Sequence, residues 1–223
     1  IVAPDGNGVL TEYSPGHHKH QTGIYWGYTR VNGRDYFHHP EGDYWRKSKA
    51  SVIKNSGNEV KWETVYDLLD EKGNTALTET QTWSMREENG KYLLKLIWTG
   101  EAKTDVTIGM YDYGGLFVRM PWKEGIDGEV NNGARQKNEK AEGQRSNWVD
   151  VGIKIEGRKD RAHIAVFDHP ENNGFPQHWR VDNQLGIGVA RARKANWEIK
   201  KGKIETIKHE ILVYTGNLKE TEI

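Results

Sequence analysis

The sequence predicts an all-β protein, a single antiparallel β-sandwich domain spanning residues 1–223. Three observations predict it. Apolar and aromatic residues alternate at period two over stretches of seven to eleven residues, the pattern of half-buried strands. Gly- and Asn-containing turns separate those stretches. No stretch keeps apolar residues at i, i+3, i+4 and i+7 over three helical turns.

Taken in order, residues 50–55 form the first clear strand and end at Ser56-Gly57-Asn58. Residues 59–69 alternate through Val60, Trp62, Thr64 and Tyr66, and Glu71-Lys72-Gly73-Asn74 turns the chain. A Thr-rich strand covers 75–85. Glu88-Asn89-Gly90-Lys91 is a hairpin turn, because Asn-Gly adopts positive φ at both central positions. Residues 92–98 return as the next strand, completing a meander. The same pattern recurs at 148–155, 162–167, 186–191 and 205–214. Residues 123–147 are rich in Gly, Asn, Lys and Glu and read as a long polar loop. The polar tail, 217–223, is expected to fray.

Composition narrows the function. Lys+Arg and Asp+Glu are both 32, so the net charge is zero, and a nucleic-acid partner is not expected. No apolar run approaches the roughly 18 residues of a transmembrane helix, so no membrane partner is expected either. Cys is absent, which excludes disulfides, thiolate metal sites and a Cys nucleophile. Nine Trp and ten Tyr against four Phe favour a wet, aromatic binding surface. The start at Ile1-Val2-Ala3-Pro4, without Met, is read as the product of a removed signal peptide, with a removed tag or a fragment as the alternatives.

Chemistry concentrates in three places. Five of nine His lie between positions 17 and 39: His17, His18, His20, His38 and His39. Imidazole titrates near neutrality, so the His17/His18/His20 segment is a candidate acid–base group. Period-two geometry puts His18 and His20 on one face, and a bulge at Gly23 would bring Tyr25 to it. The second place is Asp168 to Arg180, where a Pro- and Gly-stiffened loop carries His169, Asn172, His178, Trp179 and Arg180. The third is Arg119, a cation in an otherwise apolar strand. Either an internal carboxylate satisfies it, or it meets an anionic ligand. Arg135 is a further anion-binding candidate. No cofactor is required by these residues. A divalent metal on the His cluster is the lesser alternative, since no HExxH motif is present.

The run Gly16-His17-His18-Lys19-His20-Gln21-Thr22-Gly23-Ile24-Tyr25-Trp26-Gly27, followed by Val31-Asn32-Gly33, resembles the His-rich opening of the DUF6807 family, also labelled PmoA-like. Gly115-Leu116-Phe117-Val118-Arg119, Trp148-Val149-Asp150-Val151-Gly152 and Asp168-His169-Pro170-Glu171-Asn172 fit the same family, in order along the chain. The resemblance implies a secreted or periplasmic bacterial protein associated with polysaccharide breakdown. The predicted strand order is also similar, by fold analogy, to the supersandwich of mutarotases and polysaccharide lyases.

The expected activity is therefore carbohydrate-directed, on an oligosaccharide or polysaccharide. The leading expectation is β-elimination from a uronic acid, by a lyase or dehydratase. It needs a base, an acid and a cation on the carboxylate. His18, His20, Tyr25 and His169 are the expected catalytic residues. His17, Trp26, Arg119, Arg135, Asn172, His178, Trp179 and Arg180 are expected to bind substrate. A glycoside hydrolase or epimerase and a non-catalytic glycan-binding module are the alternatives. The His17/His18/His20 loop, the His169–Arg180 loop and Arg119 are expected to converge on one concave face.

Overall fold

The computed structural model describes residues 1–16 and 18–217; His17 and the tail from 218 onward lie outside the described residues. In chain order the strands are β1 (Ile24–Gly27), β2 (Trp45–Lys54), β3 (Glu59–Leu69), β4 (Thr75–Glu88), β5 (Lys91–Ala102), β6 (Val106–Ile108) and β7 (Gly115–Arg119). They continue as β8 (Gly128–Asn132), β9 (Trp148–Ile153), β10 (Ala162–Asp168), β11 (Trp179–Val181), β12 (Gly186–Val189), β13 (Trp197–Ile199) and β14 (Ile204–Thr215). Among the described residues the only helical pieces are 3-10 turns at Asn138–Ala141 and Arg191–Arg193. Among the described residues no helix is long and apolar enough to cross a membrane.

An eight-stranded antiparallel sheet runs β2-β3-β4-β5-β14-β10-β9-β8. A four-stranded sheet, β1-β7-β12-β11, packs on it, and β6 pairs with β13 beside them. The meander follows the sequence periodicity closely: Glu59–Leu69 is a strand as expected, and Asn89 and Gly90 both take positive φ in the hairpin turn. Residues 128–132 correct the expectation of one long loop. Val130 is buried there while its neighbours are not, and the segment pairs with β9 as an edge strand. A single apolar residue is too weak a periodic signal to reveal such a strand in sequence.

The core lies where the two sheets overlap. Leu96, Trp98, Ile164, Val151 and Val213 face Leu116, Val118 and Ile187, all at most 1% exposed. Each such side chain contributes about 1.5–3 kcal/mol of burial free energy. Trp98 lies across Gly100, where an added Cβ would come within 2.3 Å of its ring. The smaller sheet stops at its edge strand β1. Beyond that edge the inner faces of β3 and β4 are not covered, and a cleft opens.

Arg119, at the end of β7, ties this edge together. It is fully buried. Nη1 and Nη2 donate to the two carboxylate oxygens of Asp182 at 3.1 and 2.6 Å. Nη1 also donates to the Gln184 carbonyl at 2.9 Å, and Nε donates to Oε1 of Gln21 at 2.5 Å. Gly186 is obligatory opposite it, since a Cβ there would lie 2.6 Å from both Arg119 Nη2 and Asp182 Oδ2. This settles the choice the sequence left open in favour of the internal carboxylate. Arg119 is not placed to clamp a substrate anion.

Arg119→Leu leaves Asp182 buried without its partner, so urea denaturation should show a loss of about 3–5 kcal/mol. Arg46→Ala, which breaks the exposed pair with Asp67, should cost about 1 kcal/mol or less in the same assay.

Candidate active site

The cleft beyond β1 holds about 410 Å³. Its floor is set by the register of β3 and β4. Trp62 pairs with Trp83, Thr64 with Gln81 and Tyr66 with Glu79, so all six side chains share the inner face. Trp62 and Trp83 lie parallel, with centroids 6.0 Å apart and an interplanar angle of 6°. Trp45 and Tyr36 add an edge-on aromatic pair, centroids 5.8 Å apart. His20 and Phe37, whose ring centroids are 5.7 Å apart, also line the cleft.

Glu79 is the anomalous residue. Its side chain is 1% exposed and has no cationic partner. Gln81 donates from Nε2 to Glu79 Oε1 at 2.7 Å, and Trp83 donates from Nε1 to Gln81 Oε1 at 3.2 Å. Burial raises the carboxyl pKa from 4.5 to about 7, and the nearby Trp98 indole and the Gln81 amide offset only part of this. A carboxylic acid is thus held near its titration point at neutral pH.

His20 faces the cleft from a loop, not from the extended segment the sequence suggested. Tyr13 bridges Thr22, and Ser14 N–H donates to the Gln21 carbonyl. His18 N–H donates to Pro15 O and Gln21 N–H to His18 O, folding 15–21 into consecutive turns. His18 and His20 meet because the chain doubles back, with ring centroids 5.8 Å apart. Gly23 does not act as a strand bulge. It sits at φ +87, and its carbonyl accepts from Arg119 N–H as the chain turns into β1. Gln21, held by Arg119, is the fixed foot of this loop.

The His20 Nε2 is buried with no hydrogen-bond partner. Burial first, then the adjacent His38 and His18 rings, lower its pKa to about 4, so it is neutral at pH 7. Its ring lies 4.6 Å from that of His38. His38 Nδ1 bonds Asp35 Oδ2 at 2.8 Å and its Nε2 meets the Tyr113 hydroxyl at 3.2 Å. Burial opposes ionisation of Asp35, but bonds from His38 and the amides of 37 and 38 hold it below the usual carboxylate range. Among the described residues, no three His, Asp or Glu side chains are arranged to hold a metal ion.

The other expected residues scatter. Tyr25 does reach the His20 side, packing on Phe37 at 5.1 Å, and burial raises its phenol pKa. Arg180 approaches through Tyr113, 6.0 Å from that ring, but is ion-paired to Glu142 at 2.8 Å. Trp26 is buried and stacks on Trp98 at 5.0 Å, so it is mainly a core residue at the cleft margin. Trp179 is fully buried, its indole N–H donating to Ser146 O. Asn172 staples its own loop to β14, bonding Asp168 Oδ1 and both the carbonyl and amide of Lys208. His178 Nδ1 bonds Gly143 O, and His169 Nδ1 accepts from Glu171 N–H. Neither His lines the cleft. Arg135 is exposed and lines a different groove. His17 lies outside the described residues.

Sequence reasoning missed Glu79, Trp62 and Trp83. The signal was present: in Leu77, Glu79, Gln81 and Trp83 a carboxylate and an amide occupy the inward parity of a buried strand. Alternation alone does not say which face is covered.

The folded state keeps the Glu79 proton up to about pH 7, whereas the unfolded chain releases it near 4.5. Stability should therefore fall as pH rises through this window. Glu79→Gln should remove the dependence, making the variant up to roughly 3 kcal/mol more stable than the parent at pH 8 and nearly equal at pH 4. Paired denaturant titrations at the two pH values measure this.

Comparison with solved structures adds a fold relationship. A GH36 α-galactosidase from Geobacillus stearothermophilus, AgaA in complex with raffinose, superposes with TM-score 0.50 at 10% identity over 87% of this chain. The chain spans 30% of that enzyme's length. A galactose mutarotase-related enzyme from Lactobacillus acidophilus superposes with TM-score 0.45 at 7% identity, covering 92% of this chain and 87% of that one. At such identities the likeness is one of fold. A search of curated proteins finds no match. The sequence itself is matched from residue 1 to residue 223 by one family model, and the chain belongs to DUF6807, a family of unknown function.

Proposed function

We propose that the protein is a carbohydrate-active enzyme that performs acid–base chemistry on a neutral sugar in the β3–β4 cleft. The observation that carries this reading is Glu79: a carboxyl of pKa about 7 on the floor of an aromatic cleft that the neutral His20 also lines. Flat indole faces suit the apolar C–H faces of a pyranose, while the carboxyl and imidazole suit its hydroxyls. The domain fold shared with an α-galactosidase agrees with a carbohydrate ligand.

The composition of the cleft selects among the reactions. Elimination from a uronate, the leading expectation from sequence, calls for a cation on the carboxylate. Among the described residues lining the cleft none is Lys or Arg. Arg119 is enclosed by Asp182, and Arg180 is paired with Glu142. Hydrolysis by paired carboxylates calls for two of them about 5–10 Å apart. Glu79 is the one carboxylate among the described lining residues. One acid and one base without a cation fit epimerisation at the anomeric centre. Glu79 gives its proton to the ring oxygen while His20 Nε2 takes the proton of the anomeric hydroxyl. The ring C1–O bond breaks, a C1 carbonyl forms, and reclosure on the other face returns both protons.

Interconversion of α and β anomers, followed by polarimetry on a panel of reducing hexoses and pentoses, tests the reading. Glu79→Gln and His20→Ala should each lower kcat by about 10²–10⁴ with folding retained. The parent profile should rise through about pH 4, as His20 loses its proton, and fall above about pH 7, as Glu79 does. Near-parental rates in both variants would remove the cleft from the mechanism. Formation of an unsaturated uronate product from acidic oligosaccharides would restore the elimination reading instead.

A further inference from the structure

A second concave site lies on the opposite, outward face of the large sheet, in a groove of about 770 Å³ over β8, β9, β10 and β14. The register shows why it exists. Across the sheet run the rows Glu129–Gly152–His163–Tyr214 and Asn131–Asp150–Ala165–Leu212, with Trp148 opposite Phe167 beside them. Gly152 and Ala165 leave the middle of this face hollow. A Cβ on Gly152 would come within 2.3 Å of the His163 ring, so the imidazole lies flat over that glycine.

Asp150 sits at the bottom with only 9% of its side chain exposed. His163 Nδ1 bonds its Oδ2 at 2.9 Å, and the Tyr214 hydroxyl donates to its Oδ1 at 3.1 Å. The His163 and Tyr214 rings stack at 4.6 Å with an interplanar angle of 12°. Three side chains thus fix one another on a face that contributes nothing to the main core. With Nδ1 on the carboxylate, Nε2 is the His163 nitrogen left to bond a ligand. A fixed polar cluster beside an aromatic pair is more order than a solvated sheet face requires.

We propose that this groove is a second, non-catalytic glycan-binding site, taking a neutral oligosaccharide with a pyranose ring on Trp148 and Phe167 and hydroxyls on Asp150 and His163. Neutrality follows from the lining, in which five Lys and Arg are interspersed with four Asp and Glu. Arg161 and Lys137 are paired to Asp127 and Glu129, so no single-sign field attracts a polyanion. The mixture of planar aromatic and oriented polar groups also separates the groove from a protein-docking patch, whose centre is depleted of charge. The inference is independent of the chemistry assigned to the β3–β4 cleft.

NMR titration of the full chain with cellohexaose, xylohexaose and stachyose tests it. At least one of these should shift the Trp148 indole and His163 imidazole signals. Trp148→Ala should weaken that binding by about tenfold or more, equivalent to 1.4 kcal/mol, while the cleft variant Trp62→Ala leaves it unchanged. Asp150→Asn preserves side-chain volume and should weaken it likewise if Trp148→Ala does not fold. The proposal fails if none of the three sugars moves these signals, or if binding survives both groove substitutions. It also fails if the signals shift with protein concentration alone, which would make the face a contact between copies. Shifts confined to Trp62 and Trp83 would overturn the groove and leave the cleft reading standing. Shifts confined to the groove support the proposal, whatever polarimetry reports for the cleft.

Discussion

The buried guanidinium of Arg119 is the constraint on which the candidate site depends. A charge removed from water must be met on every donor, and here three protein groups meet it: the Asp182 carboxylate, the Gln184 carbonyl and the Gln21 amide oxygen. Those groups come from two stretches of chain, each remote in sequence from Arg119 itself. The fork therefore fixes the end of β7, the β11–β12 turn and the foot of the His18–His20 loop in one arrangement. Gly186 makes the close approach possible. The imidazole that faces the cleft is placed by a cation that never reaches it.

The second constraint is the mismatch in width between the sheets. Eight strands face four, so part of the inner surface of the larger sheet has no partner. In the covered part, inward positions carry Leu, Ile, Val and Trp. In the uncovered part, the same parity carries Trp62, Thr64, Tyr66, Glu79 and Gln81. The change from aliphatic to aromatic and polar residues follows from the change in surroundings. Against water and a ligand, a flat ring with a polar edge serves better than a branched aliphatic chain. Glu79 sits at the boundary, buried enough to resist ionisation and still part of the cleft lining.

His20 and Glu79 illustrate how one environment shifts opposite groups toward neutrality. Burial disfavours charge on both. It lowers the pKa of the imidazole and raises that of the carboxyl, so near neutral pH the imidazole is unprotonated and a large share of the carboxyl retains its proton. No ion pair between them is needed. The Asp35–His38–Tyr113 chain beside His20 keeps that part of the cleft ordered while leaving the His20 Nε2 without a partner.

The sequence by itself determined the fold class and nearly all of the meander. Period-two alternation and Asn-Gly turns are local consequences of backbone geometry, and they need no distant partner to be read. It also identified the His18–His20 segment and the odd position of Arg119, because polar residues among apolar or glycine-rich neighbours stand out locally. It could not say that Arg119 would be closed off by Asp182, 63 positions away. Nor could it say that Trp179 and Asn172 would serve packing and loop closure while Trp62 and Trp83 line the cleft. Trp179 and Trp62 are both strand residues; what separates them is whether another sheet lies overhead. Coverage of a face is set by the number and order of strands in two sheets, which is a property of the tertiary structure alone. The pKa of Glu79 follows from that coverage, and so do the candidate site and its chemistry.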